Sequence, residues 1–327
     1  MYLGVDGGGT KTAFVLLDRH GTIRATHHAG SAYYLEAGME ALRALINDGI
    51  GAVLRTAGIG VAEIDYAFFG LPVHGEDERT AELDRLPAPT LASERYTCGN
   101  DMVCGWAGSL ACQDGINVVA GTGSICYGEY AGRSARCGGW GELFGDEGSA
   151  YWIARSGLTL FSRMSDGRAR QGALYERLRE RLGGRRDIEL AAWVQAELDL
   201  GRSRFAALAR LVHQAAERGD AQAVRIFALA AQELAELVEA TRRRLAIPAA
   251  QRVPVSYSGG VFGIGALVTE PFTTALLATG SQYAPAAPRF APAIGAALYA
   301  AKCRGHTLSA AALERLSTQS AAQPSAE

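Results

Sequence analysis

Short apolar runs and glycine-rich turns dominate the first hundred residues of the sequence. Tyr2–Val5 and Thr12–Leu17 flank a glycine-rich turn, which predicts a strand, a turn and a second strand. From Glu36 to Ala57 the apolar positions recur every three or four residues, which predicts a helix. Further strands are predicted at 22–25, 66–71 and 95–99, and a further helix at 101–110. This interleaving of strands with helices favours an α/β fold with a mixed sheet.

The strand–turn–strand pattern returns in the second part of the chain. Strands are predicted at 117–120 and 125–130 around the turn Gly121-Thr122-Gly123-Ser124, which is consistent with an internal duplication of the fold. Residues 147–245 have a mainly helical pattern, and a strand predicted at 253–257 leads into Ser258-Gly259-Gly260. Pro292 then opens a predicted helix of small residues at 293–301.

Composition narrows the class of protein. The chain has 327 residues, and at roughly 150 residues per domain this length predicts two domains. Hydrophobic residues make up 48% and charged residues 20%, which is typical of a globular protein with sizeable cores. The formal net charge of −2 offers no basic excess, so no nucleic-acid partner is expected. Because no apolar run is long enough for a membrane span and a charged, glycine-rich motif begins by residue 6, we expect a cytoplasmic protein without a membrane partner.

The turn that runs from Asp6 to Thr12 carries the first candidate chemistry. Three consecutive glycines let backbone N–H groups approach a polyanion more closely than residues with a Cβ atom allow. Thr10 and Thr12 add hydroxyl donors, and Asp6 at the strand end is placed to hold a water on Mg²⁺. The turn is not a Walker A loop, because the glycine before Lys11 is absent and a strand follows where a helix should. Taken alone, it leaves an ordinary glycine-rich hairpin as the alternative.

A second glycine and hydroxyl turn, at 121–124, favours the phosphate-binding interpretation. Two such hairpins that face each other across a cleft would bind a triphosphate from both sides. Gly259 and Gly260 follow a predicted strand and offer a third surface of close approach, suited to a flat purine and its ribose.

These motifs resemble those of the sugar-kinase, chaperone-ATPase and actin superfamily, and specifically those of N-acetylglucosamine kinases. That family shares the BadF/BadG/BcrA/BcrD-type branch with the activating ATPases of benzoyl-CoA reductase and 2-hydroxyacyl-CoA dehydratase. The resemblance implies an α/β, two-domain actin-like ATPase (ribonuclease H-like) fold with a deep interdomain cleft. It rests on DGGGTKT (6–12), ND (100–101), GTGS (121–124), CGGWGELFGDEGSAYWIA (137–154), FAALARLV (205–212), SGGVFG (258–263) and APAIGAAL (291–298).

The expected domain organisation follows from this resemblance and from the pattern of elements. We expect an N-terminal ATPase domain at 1–115 and a C-terminal ATPase and sugar-binding domain at 116–290. The helix at about 291–303 is expected to cross back onto the first domain. The tail 317–327 is rich in Ser, Gln and Ala and is expected to be disordered.

The resemblance further implies an ATP-dependent kinase of an amino sugar, with ATP and Mg²⁺ as cofactors. Asp101 would be the catalytic base and would touch the sugar, and its place between a strand and a helix independently suits such a carboxylate. Asp6 would serve the metal ion. The other sugar contacts would be Tyr33, Gly139, Trp140, Gly141 and Asp146. The nucleotide would be bound by Gly8, Gly9, Thr10, Lys11, Thr12, Gly121, Thr122, Gly123, Ser124, Ala206, Gly259 and Gly260.

Position alone leaves simpler alternatives open for three of these residues. Asp101 could merely cap the helix that follows it. Asp146, together with Glu147, could be a first-turn acid that favours the helix dipole. Trp140 could belong to the core, although a tryptophan between glycines on a loop more often faces a ligand.

Two departures from the family pattern concern the sugar. Tyr33 stands where the family usually has an asparagine that touches the sugar, and residues 70–76 differ from the usual small-residue loop. Cys137, Gly139 and Ala150 do match positions that surround the N-acetyl group. We therefore expect an altered preference among 2-amino sugars, with phosphorylation of N-acetylglucosamine at its 6-hydroxyl as the leading hypothesis. A homodimer is a further expectation.

Two other functions are compatible with this class of fold. An activating ATPase would need cysteines that hold an iron–sulfur cluster between two subunits, near a signature that resembles N-D-K-C-A-A-G-T-G. Here Asn100-Asp101 is followed by Met102-Val103-Cys104, and the six cysteines form no CxxC pair, so we expect reduced, mostly buried thiols. A non-enzymatic repressor would carry a DNA-binding helix-turn-helix before the first phosphate turn, for which Asp6 leaves no room.

Overall fold

The computed structural model describes residues 1–198 and 201–322, which form ten strands and thirteen α-helices. The strands are β1 (Tyr2–Gly7), β2 (Thr12–Leu17), β3 (Ile23–Ala29), β4 (Tyr66–Leu71), β5 (Tyr96–Asn100), β6 (Gly115–Ala120), β7 (Ser124–Tyr130), β8 (Arg133–Gly138), β9 (Val253–Ser258) and β10 (Tyr283–Ala286). The helices are α1 (Tyr34–Ala37), α2 (Met39–Ala57), α3 (Thr80–Leu83), α4 (Met102–Leu110), α5 (Ala150–Ser165), α6 (Ala173–Leu182), α7 (Leu190–Leu198), α8 (Arg202–Ala206), α9 (Ala209–Glu217), α10 (Ala221–Arg244), α11 (Ala266–Ala278), α12 (Pro292–Cys303) and α13 (Ala310–Ala322). None of the helices in these two ranges is long and apolar enough to cross a membrane.

The contacts within the chain group these elements into two units. The first unit consists of Met1–Asp114 and of the chain from Ala287 onward, and the second unit is the uninterrupted segment Gly115–Ala286. The domain boundaries predicted from the sequence are at residues 115 and 290. In chain order, the second unit is therefore inserted between the two parts of the first.

The two units share one sheet topology. The first sheet has the strand order β3-β2-β1-β4-β5, and the second has the order β8-β7-β6-β9-β10. In each sheet the second strand in this order is antiparallel to the strands on both sides of it. The last two strands run parallel to the central one. This arrangement confirms the predicted α/β class, and the shared topology supports an internal duplication.

A glycine with positive φ interrupts the helix that the pattern predicts over residues 36–57. Gly38 adopts φ +87°, so that α1 ends at Ala37 and α2 begins at Met39. The periodicity still identifies the face of α2 that is buried, because a single glycine does not disturb the spacing of the apolar positions. The mainly helical region predicted at 147–245 is also divided, into α5 to α10.

Helix α12 belongs to the first unit and packs across its central strand, β1. The contact is close because glycines meet there. A Cβ atom on Gly4 of β1 would lie 2.1 Å from the backbone nitrogen of Ala297. A Cβ atom on Gly295 would lie 2.2 Å from the backbone nitrogen of Gly108 in α4. Backbone therefore packs directly on backbone, and α12 completes the core of the first unit on this side of the sheet.

The prediction of a disordered tail from residue 317 is wrong for residues 317–322, which complete α13. The side-chain amide of Gln319 hydrogen-bonds both backbone groups of Ile23, at 2.9 and 3.1 Å, and Leu316 is fully buried. These contacts offset the conformational entropy that the segment loses when it becomes ordered, which its polar composition alone could not offset. The rest of the predicted tail, 323–327, lies outside the described residues.

Candidate functional site

The glycine turn between β1 and β2 presents backbone donors. Gly8 donates its N–H to the carbonyl of Lys11 at 2.9 Å, which closes the turn. Among the described residues, the N–H groups of Gly9 and Thr10 have no hydrogen-bond acceptor, and both residues are exposed. Thr12 differs, because it is buried inside β2 and its hydroxyl donates to the carbonyl of Gly30 at 2.8 Å. The turn can therefore bind an anion through its backbone, whereas a contact from the Thr12 hydroxyl has no support here.

Two carboxylates, Asp6 and Asp101, lie at the same edge of the first sheet. Asp6 is paired with Gly70 of β4, which is paired in turn with Gly99 of β5, and Asp101 comes two residues later. A Cβ atom on Gly70 would lie only 3.2 Å from the Cα atom of Asp101 and 2.2 Å from the sulfur of Cys104. The missing side chain at position 70 thus leaves room for Asp101 and Cys104, at the start of α4, to lie against β4.

Burial of this carboxylate pair changes its acid–base behaviour. Burial raises the pKa of Asp101 to about 7, and the negative charges of Asp6 and Glu76 raise it further in the same direction. Burial likewise raises the pKa of Asp6 to about 6, which a hydrogen bond from Cys104 and the charge of Lys11 partly oppose. A carboxylate whose pKa lies near neutrality is suited to general-base chemistry.

Asp101 occupies the N-cap position of α4, but the helix-capping alternative gains no support from its side chain. Asp101 makes no side-chain capping hydrogen bond to α4. The neighbouring Asn100 does this instead, since its Oδ1 accepts from the N–H of Met102 at 3.1 Å. The amide nitrogen of Asn100 donates to Glu76 at 3.0 Å, which places a third carboxylate near Asp101. In the sequence, Glu76 stands out only as part of an unusual loop, so its placement near Asp101 is visible only in the folded chain.

Tyr33 lies beside the first glycine turn. Its N–H donates to the hydroxyl of Ser31 at 3.0 Å, and that hydroxyl donates to the carbonyl of Gly9 at 2.9 Å. The next residue along the chain, Tyr34, is buried and donates its hydroxyl to Asp77. The structure therefore brings Tyr33 to the same region as Gly9, and its contact with a sugar stays a prediction.

The second glycine turn, between β6 and β7, also presents backbone donors. Gly121 donates its N–H to the carbonyl of Gly123 at 2.9 Å, while the N–H groups of Thr122 and Gly123 have no acceptor among the described residues. The first N–H group of α5, on Ala150, donates to the carbonyl of Gly121 at 2.9 Å. The hydroxyl of Ser124 donates to the carbonyl of Glu147 at 2.7 Å. Backbone donors are thus available at this turn, but the Ser124 hydroxyl proton is already used.

The third glycine surface lies next to this turn. Because β6 and β9 are parallel and Val119 is paired with Ser258, both strands end at the same edge of the second sheet. Gly259 adopts φ +95°, and a Cβ atom there would lie 2.4 Å from the carbonyl oxygen of Ala120. Gly260 has open space beside it. Ala206, unlike Gly260, is buried in the core of the second unit. Its side chain is therefore not exposed for the predicted contact with adenosine.

The loop that follows β8 contains the predicted sugar residues of the second unit. Gly139 and Gly141 adopt φ +70° and +88°, so each needs the freedom of glycine. Gly139 donates its N–H to the carbonyl of Ser124 at 2.9 Å, which ties the loop to the glycine turn. Trp140 is 72% exposed, so the alternative that it belongs to the core is wrong. An exposed indole of this kind can stack on the apolar face of a sugar ring.

Asp146 closes the same loop and is held by internal partners. Its side chain is only 3% exposed, pairs with Arg202 and accepts from the N–H of Ser124 at 3.3 Å. Burial raises the pKa of Asp146, and the charge of Arg202 opposes this shift. Helix α5 begins at Ala150 with Ser149 as its cap, so the first-turn alternative for Asp146 is wrong. The predicted contact of Asp146 with sugar hydroxyls stays a prediction.

Arg202 is a site residue that the sequence analysis missed. It precedes the stretch FAALARLV and pairs through Nη2 with Asp146 and through Nε with Glu142, the latter at 3.1 Å. These partners are far from Arg202 along the sequence. The chain is also rich in arginine, so nothing in the local sequence distinguishes this one.

Comparison with known proteins gives consistent relatives. The profile of the BadF/BadG/BcrA/BcrD ATPase family matches residues 3–300. An N-acetyl-D-glucosamine kinase of Dictyostelium discoideum is 29% identical over 273 residues, which is 80% of this chain and 85% of that protein. An N-acetylmuramic acid/N-acetylglucosamine kinase of Clostridium acetobutylicum is 27% identical over 260 residues, 79% of this chain and 84% of that protein. A solved structure from Chromobacterium violaceum, a candidate N-acetylglucosamine kinase, matches with a TM-score of 0.70 and 27% identity over 90% of this chain and 97% of its own.

Proposed function

Because the chain belongs to the BadF/BadG/BcrA/BcrD ATPase family, we propose that it phosphorylates an amino sugar with ATP, with the 6-hydroxyl of N-acetylglucosamine as the first choice. The family match spans nearly the whole chain and confirms the resemblance that the sequence motifs indicate. Both curated relatives act on N-acetylated amino sugars, as their names state, and this supports the choice of substrate class.

The carboxylate of Asp101 is the observation that carries the proposal. It lies at the sheet edge beside Asp6, makes no capping hydrogen bond, and its pKa is raised to about 7. In this proposal Asp101 accepts the proton of the sugar hydroxyl as that oxygen attacks the terminal phosphorus of ATP, whose bond to the bridging oxygen breaks to release ADP. Phosphoryl transfer depends mainly on positioning and on charge neutralisation, so one placed base is all the acid–base machinery that it needs.

Each of the two glycine turns, taken within its own unit, has backbone donors that fit a phosphate group of ATP, the donor of the phosphoryl group. Backbone N–H groups without acceptors at Gly9, Thr10, Thr122 and Gly123 suit a polyphosphate. Asp6 would orient a water on Mg²⁺. No group of three or more metal-ligating side chains occurs within 1–198 and 201–322, which suits an ion that is bound chiefly by phosphates and water.

The activating-ATPase alternative gains no support from the described residues. Cys104, which follows Asp101 by three residues, is fully buried, and its sulfur lies beside Gly70 and the carbonyl of Val5. A thiol in this position cannot hold a cluster at a subunit surface. A homodimer, the lack of nucleic-acid and membrane partners, and the cytoplasmic location stay predictions.

An assay of ADP release over a panel of sugars tests the proposed function. The panel consists of N-acetylglucosamine, glucosamine, N-acetylmannosamine, N-acetylmuramic acid and glucose, each with ATP and Mg²⁺. We expect the highest kcat/KM for an amino sugar, because Tyr33 alters the sugar contacts but leaves the transfer machinery intact. The position of the phosphate in the product is read by NMR. Higher kcat/KM for glucose than for every amino sugar would contradict the proposal.

The proposal also predicts a pH dependence. Asp101 must be deprotonated to accept a proton, and its pKa is raised to about 7. We therefore expect kcat/KM for the sugar to be half-maximal near pH 7 and to fall about tenfold per pH unit below it. The profile is measured between about pH 5 and 9 at saturating ATP.

Replacement of Glu76 provides the control for that profile. Glu76→Gln removes a negative charge that raises the pKa of Asp101 but keeps an acceptor for Asn100, so the acidic limb should move to lower pH. Glu78→Gln, a change at an exposed position in the same loop, should leave the limb in place. If the acidic limb stays at the same pH in Glu76→Gln, the limb does not arise from the titration of Asp101.

A further inference from the structure

Arg202 lies against the glycine turn of the second unit. A Cβ atom on Gly123 would lie 2.4 Å from Nη2 of Arg202 and 2.7 Å from Oδ2 of Asp146. The bare Cα atom of Gly123 is therefore what allows a guanidinium group to sit beside the turn. The side chain of Arg202 is 35% exposed, whereas that of its partner Asp146 is 3% exposed. The ion pair thus buries the carboxylate and leaves part of the cation at the surface.

The donors around this point suit one ligand. The N–H groups of Thr122 and Gly123 have no acceptor, and neither does Nη1 of Arg202, within the part of the chain that the structure describes. A planar guanidinium beside backbone N–H groups matches the oxygens of a phosphate, which accept several such hydrogen bonds at once. Helix α8, which begins at Arg202, is too short to contribute an anion site of its own, so the side chain carries the argument.

We propose that Arg202 binds a phosphate group of the nucleotide and that Asp146 and Glu142 hold its guanidinium beside the turn beforehand. This inference rests on the proposed function, because it takes ATP as the ligand of the turn. The two carboxylates restrict a long side chain before the nucleotide arrives, which lowers the entropy that binding must spend on ordering it. Since Asp146 is buried, the pair keeps its place in the absence of ligand.

Equilibrium binding without sugar tests the proposal by calorimetry on the full chain, with Mg²⁺–ATP and with adenosine as probes. Arg202→Gln should raise the Kd for Mg²⁺–ATP roughly 10- to 100-fold, the range expected for a charge-assisted hydrogen bond, and leave that for adenosine unchanged. Arg202→Lys should have an intermediate effect, because an ammonium keeps the charge but not the planar fork. Arg204→Gln is the matched control. Arg204 lies on the same helix but pairs with Glu197 at 3.3 Å, so the Kd for ATP should not change.

The outcomes separate the two proposals. A Kd for ATP within about twofold of the wild-type value in Arg202→Gln would overturn the role of Arg202. Equal loss of ATP and adenosine binding would also overturn it, since this is what a purely structural ion pair predicts. If Arg202→Gln weakens ATP binding as expected but the wild-type protein phosphorylates no amino sugar, the proposed function is overturned and the role of Arg202 stands.

Discussion

Replacement of Asp101 by asparagine is expected to lower kcat by ~10²–10⁴-fold, the usual loss when a general base is removed. Asparagine keeps the size of the side chain and one acceptor oxygen, but it cannot take up the proton of the sugar hydroxyl. The loss should fall on kcat, while the Kd for ATP stays near the wild-type value, because the predicted nucleotide contacts do not include Asp101. Stopped assays with the best sugar of the panel and calorimetry with ATP measure the two quantities separately.

The matched control for this variant is Asp48→Asn. Asp48 is exposed on α2, so the same chemical change should leave kcat unaltered. The residual activity of Asp101→Asn should also lose the acidic limb near pH 7, because the titrating group is gone. Turnover within a few-fold of wild type would remove Asp101 from the mechanism. Asn100 already performs the capping of α4, so no established role would remain for it.

Replacement of Gly295 by alanine is expected to destabilise the protein by about 2 kcal/mol or more, as overpacked sites do. The added methyl group would lie 2.2 Å from the backbone nitrogen of Gly108 and 2.3 Å from the carbonyl oxygen of Cys104. Both neighbours are backbone atoms inside α4, so α4 and α12 must move apart and lose the packing between them. The free energy of unfolding in urea and the melting temperature measure the effect.

The same substitution at Gly51 is the control, and its sign should be opposite. Gly51 lies inside α2, and a Cβ atom there meets only the flexible guanidinium of Arg55, at 3.1 Å. Gly51→Ala should therefore stabilise the protein by roughly 0.5–1 kcal/mol through helix propensity. If Gly295→Ala melted at or above the wild-type temperature, the glycine contact between α4 and α12 would be weaker than the geometry indicates.

The sequence predicts all five strands of the first sheet and the three interior strands of the second, but it misses the two edge strands of the second sheet. Residues 12–17 and 66–71 are predicted as strands from continuous apolar runs, and these are the bounds of β2 and β4. The pattern misses β8 and β10, which lie at the edges of the second sheet. These two edge strands carry polar residues or proline, as Arg133 in β8 and Pro285 in β10 illustrate, so they lack the apolar signal.

The parts of the candidate site that lie in one continuous motif are predictable from the sequence. The parts that folding brings together from separate elements are not. The two glycine turns are visible because strand, turn and hydroxyl residues are consecutive. The approach of Asp101 to Asp6 depends instead on the register of three parallel strands across Gly70, which no local pattern encodes. Arg202 and Glu76 acquire their roles from partners in other elements, so only the folded chain identifies them.

The order in which the chain is synthesised has a consequence for its maturation. Strands β1–β5 leave the ribosome long before α12, which packs across β1, because the whole second unit is translated in between. At the usual rate of protein synthesis, this interval lasts roughly 10 to 30 seconds. The second unit is continuous and can fold as soon as it emerges. The nascent first unit must keep an uncovered sheet face during that time, and we expect it to be the part of the chain that depends on chaperones.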